Sequence, residues 1–151
     1  MINQWLFPLF LIVHVLGATI WTGGHLILTL GYLPMALKQK NPEIIYQFEE
    51  KFEPIGLIAL GIQIITGLWL ANFYIPLGEN WLNYNEPMTR NILVKLCLLL
   101  ITLILSIDAR FRIIPNLNQE NFLDLVFHIL AVTIIAISLI IFGITIRFGG
   151  L

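Results

Sequence analysis

The sequence is poor in charged residues: aspartate, glutamate, lysine and arginine together make up 11% of the chain. A typical soluble domain carries about 25%. Hydrophobic residues reach 58% of the 151 residues, and a chain of this size cannot bury that much apolar surface inside its own core. The scarcity of charge therefore excludes an ordinary soluble domain and predicts an integral membrane protein in contact with the lipid bilayer.

Cysteine and basic residues are scarce as well. The single cysteine, Cys97, excludes an internal disulfide and a cysteine-rich zinc site. Eight lysines and arginines and a formal net charge of −1 create no basic surface, so nucleic acid is not an expected partner. The N-terminal apolar run lacks a basic stretch before it and continues well past about 15 residues, so we expect a retained helix rather than a signal peptide.

Long apolar runs are abundant, and they predict an all-α fold. Four of them approach or exceed the roughly 20 residues that cross about 30 Å of hydrocarbon as a helix. We predict an integral membrane four-helix bundle forming a single transmembrane domain over residues 1–151. The apolar periodicity of residues 43–53 adds a short interfacial helix between spans 1 and 2. The predicted spans cover approximately residues 5–33, 54–77, 91–107 and 122–146.

Basic residues are distributed unevenly between the two predicted membrane faces. Five adjoin the first and third loops, namely Lys38, Lys40, Lys51, Arg110 and Arg112, and three adjoin the other face, namely Arg90, Lys95 and Arg147. By the positive-inside rule, the first and third loops are cytoplasmic. We therefore expect both termini to face outward, in a protein of the bacterial inner (plasma) membrane.

Three histidines fall inside the predicted spans. His14 and His25 are eleven residues apart in the first span, which is about three helical turns plus 20°, so they share one face about 16 Å apart. Matching the spans by depth places His128 of the fourth span level with His25, whereas His14 lies alone in the outer half. Because ionisable groups inside a bilayer are costly, these positions are functional candidates.

Two glutamates are predicted to lie near the inner histidines, His25 and His128. Glu49 and Glu53 are four residues apart, so they share a helical face near the start of the second span. Imidazoles on facing helices suit haem iron or a transition metal, which makes His14, His25, His128, Glu49 and Glu53 the predicted metal ligands. The alternative is structural: histidines that bond neighbouring hydroxyls or carbonyls, and glutamates on a solvated helix face.

Two arginines at the inner end of the third span are further candidates. Arg110 and Arg112 could hold a haem propionate or another anionic group, a task that suits the planar guanidinium. The alternative is a membrane anchor with a local ion pair to Asp108. Together with the three histidines, these arginines form the predicted cofactor-binding set.

Several motifs resemble those of CopD-like membrane proteins, the copper resistance D domain. They follow the family order along nearly the whole chain. The matching stretches are His14 to Leu26 (HVLGATIWTGGHL), Phe48-Glu49 with Phe52-Glu53, Thr66 to Ala71 (TGLWLA), Asp108 to Arg112 (DARFR), His128, and the closing Gly149-Gly150. A weaker similarity, through the first-helix histidine, Trp21 and Tyr32-Leu33-Pro34, links the chain to HemJ-type protoporphyrinogen oxidases, which bind haem b.

The resemblance implies a membrane protein that binds copper or haem b through intramembrane histidines. Its role would be copper handling or transmembrane electron transfer, with a periplasmic copper carrier or a redox partner. If the chain is an enzyme, the HemJ likeness implies a membrane oxidoreductase that oxidises a porphyrinogen through haem. The third alternative is a non-catalytic accessory subunit whose histidines only join helices. A homo-oligomer is compatible with each of these.

Overall fold

The computed structural model describes residues 5–76, 81, 83–118 and 121–150, and no β-strand occurs among them. The helices of this part of the chain are α1 (Leu6–Ile27), α2 (Leu33–Gln39), α3 (Glu43–Tyr74), α4 (Pro87–Asp108) and α5 (Phe122–Ile146). A π-helical turn, Leu28–Tyr32, joins α1 to α2. A second π-helical turn, Ala109–Ile113, and a 3₁₀ turn, Ile114–Asn116, prolong α4.

Four helical rods are long and apolar enough to cross a membrane: Leu6–Gln39, Glu43–Tyr74, Pro87–Asn116 and Phe122–Ile146. Their outer surfaces are strongly apolar. Leu30, Ile65 and Phe127, for example, keep 74%, 69% and 68% of their surface exposed, which is a favourable arrangement only against lipid. The protein is thus an integral membrane protein, and the predicted all-α bundle of four spans is confirmed. The predicted end of the second span at residue 77 lies outside the described residues.

Residues 43–53 are helical, but they are the first turns of α3 rather than a separate interfacial helix. This corrects the predicted separation of the two elements. Ile45 is completely buried in the core and holds these turns against the bundle. The helix then continues through Pro54, whose missing N–H removes one hydrogen bond without ending the helix.

Glycines allow α1 to lie close to α3, its most extensive neighbour. A Cβ atom at Gly17 would lie 3.1 Å from Gln63 Cγ and 3.2 Å from the Ala59 carbonyl oxygen. A Cβ atom at Gly24 would overlap the ring of Phe52. The antiparallel register of α1 and α3 is therefore fixed by small residues that accept large side chains.

The core forms three layers along the bundle. We call the end where α2 leads to α3 and α4 leads to α5 the two-loop end, and the end that holds Trp5 and Gly150 the terminus end. Representative buried residues are Leu28, Ile45 and Leu125 at the two-loop end, Trp21, Leu60 and Val132 in the middle, and Ala71, Ile75 and Ile92 at the terminus end. These layers hold α1 against α3 and α5, and α4 against α5.

Candidate metal-binding cavity

A cavity of about 290 Å³ lies between α1, α3, α4 and α5, in the half of the bundle nearer the two-loop end. Its wall is mostly apolar, as is usual for ligand pockets. The titratable side chains in that wall are His25, Glu49, Glu53, Arg110 and His128. Helix packing thus brings together five of the seven predicted site residues from three different spans and the second π-helical turn.

His25 is fixed in one orientation by its own helix. Its Nδ1 lies 2.8 Å from the carbonyl oxygen of Trp21, and because a carbonyl can only accept, Nδ1 carries the proton. The neutral ring then has its lone pair on Nε2, as a metal ligand requires. Trp21 and Phe52 flank the ring, with centroids 4.4 Å and 5.8 Å away. The site therefore offers one oriented, aromatic-walled imidazole.

His128 is held differently, by acceptors on both ring nitrogens. Nδ1 donates to the carbonyl oxygen of Asp124 at 3.0 Å, and Nε2 lies 2.8 Å from Asp108 Oδ2. The backbone carbonyl and the Asp108 carboxylate therefore occupy both ring nitrogens of His128. In this arrangement the Nε2 lone pair needed for metal coordination is not available, so His128 can serve as a ligand only after leaving Asp108.

The two arginines make separate ion pairs. Arg110 pairs with Glu53 and so ties the second π-helical turn to α3 across the cavity wall. Arg112 makes two hydrogen bonds of 2.6 Å to Asp108 and lies outside the cavity lining. The alternative of a local ion pair with Asp108 thus describes Arg112, whereas Arg110 acts between helices.

Glu49 is the carboxylate of the cavity that remains available. Within the described residues no hydrogen bond or ion pair engages it, although it is only partly exposed and lines the same space as His25. Glu53 is paired with Arg110, and His128 shares Asp108 with Arg112. Among the described residues, Glu49 is therefore the lining carboxylate that is left to pair with a bound cation.

No preformed cluster completes a metal centre in the part of the chain that the structure describes: no three histidine, cysteine, aspartate or glutamate side chains are placed to hold one ion. The residues fit copper in part, since His25 Nε2 and Glu49 supply two uncommitted donors in one cavity. A third would come from Glu53 or His128 after its ion pair opens.

His14 lies elsewhere, on the same face of α1 but nearer the terminus end. Its Nδ1 is 2.9 Å from Thr66 Oγ1, which itself donates to the Ile62 carbonyl oxygen at 2.6 Å. Because the threonine hydroxyl already donates its hydrogen to Ile62, it accepts a hydrogen bond from Nδ1 of His14. Because α1 is a continuous α-helix from Leu6 to Ile27, His14 remains about 16 Å from His25. The histidines thus occupy two separate places.

Two features were not predicted from the sequence. The bond between His128 and Asp108 was not foreseen, although both residues stand at the same depth on consecutive antiparallel spans, which is the signal that could have found it. The indole N–H of Trp21 and the side-chain amide nitrogen of Gln63 are buried donors with no partner among the described residues. Only the tertiary packing shows that these two donors are unpartnered.

The family described as Copper resistance protein D (CopD) matches residues 46–147, more than half of the chain. The protein thus belongs to the CopD family, a family of membrane proteins related to copper resistance. The match includes the part of α3 that carries Glu49 and Glu53 and the whole of α4 and α5. Comparison with curated proteins and with solved structures gave no match.

Proposed function

We propose that this protein binds a copper ion in the cavity between α1, α3, α4 and α5 and handles copper at the membrane. His25 is the principal ligand, with Glu49 beside it. Glu53 or His128 completes the coordination after release from Arg110 or Asp108. The observation that carries the proposal is the fixed tautomer of His25, whose Nε2 lone pair is uncommitted in a cavity of a CopD-family protein.

The composition of the wall supports binding of a cation that prefers nitrogen and oxygen ligands. Imidazole suits copper, and carboxylates suit harder ions. No methionine or cysteine is among the described residues that line the cavity, so that wall offers none of the thiolate and thioether ligands that favour Cu(I). We therefore expect Cu(II) to bind at least as tightly as Cu(I). In this proposal the two-loop end faces the cytoplasm of a bacterial cell, in keeping with its excess of lysine and arginine.

The test is copper binding by the purified full chain in detergent micelles. Elemental analysis should find a single copper per chain after removal of excess metal. The Cu(II) form should give an electron paramagnetic resonance spectrum with nitrogen coupling from imidazole. His25→Phe keeps an aromatic ring between Trp21 and Phe52 but removes the nitrogen ligand, so we expect loss of the copper.

His14→Phe is the matched control, because it changes the same residue type on the same helix away from the cavity. We expect this variant to keep its copper and its nitrogen-coupled spectrum. Full occupancy in His25→Phe, with circular dichroism showing intact helix, would contradict the proposal. Equal loss in both variants would do so too, because it would mean that the copper does not sit in the cavity.

A second candidate is haem b with transmembrane electron transfer. It draws support from His25 on α1 and His128 on α5, which line one cavity from different helices. Against it, 290 Å³ is at the lower limit of the roughly 300–1,000 Å³ that small-molecule pockets occupy. An absorption spectrum decides between the two, since a Soret band would identify haem. If the purified protein retains neither haem nor copper, the remaining interpretation is a non-catalytic accessory subunit.

A further inference from the structure

Lys95 places a positive charge inside the membrane-spanning part of α4. It lies eight residues after Pro87, or about 12 Å along the helix from the terminus end. The structure leaves it partly buried rather than exposed. An ammonium group in a low-dielectric interior is costly unless a counter-charge accompanies it.

That counter-charge is missing from the described part of the protein. Its ion pairs join Arg110 to Glu53 and Asp108 to both Arg112 and His128, and none includes Lys95. The described acidic residues nearly all lie toward the two-loop end. The exception is Glu86, which is exposed and nine residues before Lys95, about 13 Å along the chain axis. Among the residues that the structure describes, Lys95 therefore has no anion within reach.

The ammonium is packed inside the bundle and not directed into lipid. A Cβ atom at Gly143 of α5 would lie only 3.1 Å from Lys95 Nζ, so the glycine provides the space that this nitrogen occupies. Lys95 is also close enough to His14 of α1 to act on it electrostatically. His14 donates its Nδ1 proton to Thr66 and carries no negative charge, so it does not balance the charge of Lys95.

A second donor in this half of the bundle is uncommitted. The side-chain nitrogen of Gln63 is buried and has no hydrogen-bond partner among the described residues. Gln63 packs on Gly17, about one helical turn from His14. A buried donor without a hydrogen-bond acceptor is energetically unfavourable, so an acceptor is expected at this place. This half of the protein thus combines an unbalanced cation with an excess of hydrogen-bond donors.

We propose that the terminus half of the bundle contains an anion-binding site built around Lys95 Nζ, Gly143 and the ring of His14. Its ligand is a small inorganic anion or the anionic headgroup of a lipid, both of which supply the same negatively charged acceptor. The proposal is independent of copper binding in the other half. It also means that the His14 region disfavours a metal cation, because the positive charge of Lys95 acts on the imidazole.

The test uses the full chain in nanodiscs of zwitterionic phosphatidylcholine and measures binding of radioactive chloride. We expect saturable binding of a single chloride per chain. Lys95→Met should weaken it about tenfold or more, the loss expected for a hydrogen bond to a charged group. Gly143→Ala, which crowds Nζ, should weaken it as well. Lys38→Met removes an exposed lysine and Gly61→Ala adds a methyl where nothing lies within 4 Å, so both should bind as the wild type does.

A second arm identifies a lipid as the source of the anion. In nanodiscs that contain phosphatidylglycerol, native mass spectrometry should find the anionic lipid retained by the wild type and lost from Lys95→Met. Lys95-dependent binding in either arm supports the site and names its ligand. Binding that is unchanged in Lys95→Met, or no binding in both arms, overturns the proposal. Circular dichroism confirms folding, and Lys95→Met should melt no lower than the anion-free wild type because it removes an unpaired charge.

Discussion

Replacing Gly24 by alanine should destabilise the protein, because the ring of Phe52 occupies the space where the new methyl group would stand. The ring is held there by more than α1. It stacks on Phe48, with centroids 5.5 Å apart, and it meets the edge of His25 at 5.8 Å. To admit the methyl, Phe52 must rotate away from these partners.

The magnitude follows from the crowding. Overpacking a filled interior costs about 1–3 kcal/mol, while exchanging glycine for alanine in a helix favours folding by up to about 1 kcal/mol. Gly23→Ala is the matched control, because nothing lies within 4 Å of its Cβ position. We expect Gly24→Ala to be less stable than Gly23→Ala by about 1–3 kcal/mol, because the helix-propensity gain is common to both variants and cancels, which leaves the overpacking cost.

The assay is reversible unfolding in mixed detergent micelles, followed by circular dichroism. Phe52→Leu in the Gly24→Ala background should recover most of the loss, since the two substitutions share one contact and their effects should not add. Copper affinity should fall in Gly24→Ala and stay unchanged in Gly23→Ala, because Phe52 flanks His25. If the two alanine variants unfold within about 0.5 kcal/mol of each other, the close packing of Phe52 between the helices is refuted.

Two further predictions concern contacts between helices. Thr133→Val removes the 2.7 Å hydroxyl bond between Thr133 and Thr29 and should cost about 0.6 kcal/mol in the same unfolding assay, up to about 1.7. Ser138→Ala, whose hydroxyl bonds only to its own helix, should change stability less, and equal losses would deny the interhelical bond any role. Arg110→Gln removes a cation from the cavity wall and should raise copper affinity at least about threefold. The exposed Arg147→Gln at the other end should leave it unchanged, and a lower affinity in Arg110→Gln would contradict the charge argument.

Depth matching along the spans predicted where the three histidines lie relative to one another. Antiparallel spans of similar length allow positions to be paired by their distance from the loops, and this brought His25 and His128 to one level. It also separated His14 from them. The structure places His25 and His128 around one cavity and His14 outside its lining. Their roles as ligands stay predictions.

Hydrogen-bond partners could not be predicted in the same way, because they depend on side-chain rotamers. His128 sits at the expected depth, yet its Nε2 faces Asp108. Arg110 and Arg112 are two residues apart, yet one pairs with Glu53 of another helix and the other with Asp108 of its own rod. A shift of about 100° around a helix decides which neighbour each side chain meets.

The sequence by itself determined the solvent and the class of fold. Its lack of charge and its four long apolar runs leave lipid as the favourable environment, and in lipid the backbone must satisfy its own hydrogen bonds within helices. Only the tertiary structure decided which charged side chains are paired in each half of the bundle. Whether Glu49 and Lys95 are paired depends on which side chains the packed helices bring within a few ångströms, and no spacing along one chain fixes that distance. The two histidines on one face of α1 therefore lie in different electrostatic surroundings: His25 lines a cavity with Glu49, which has no partner among the described residues, whereas His14 is within electrostatic reach of Lys95.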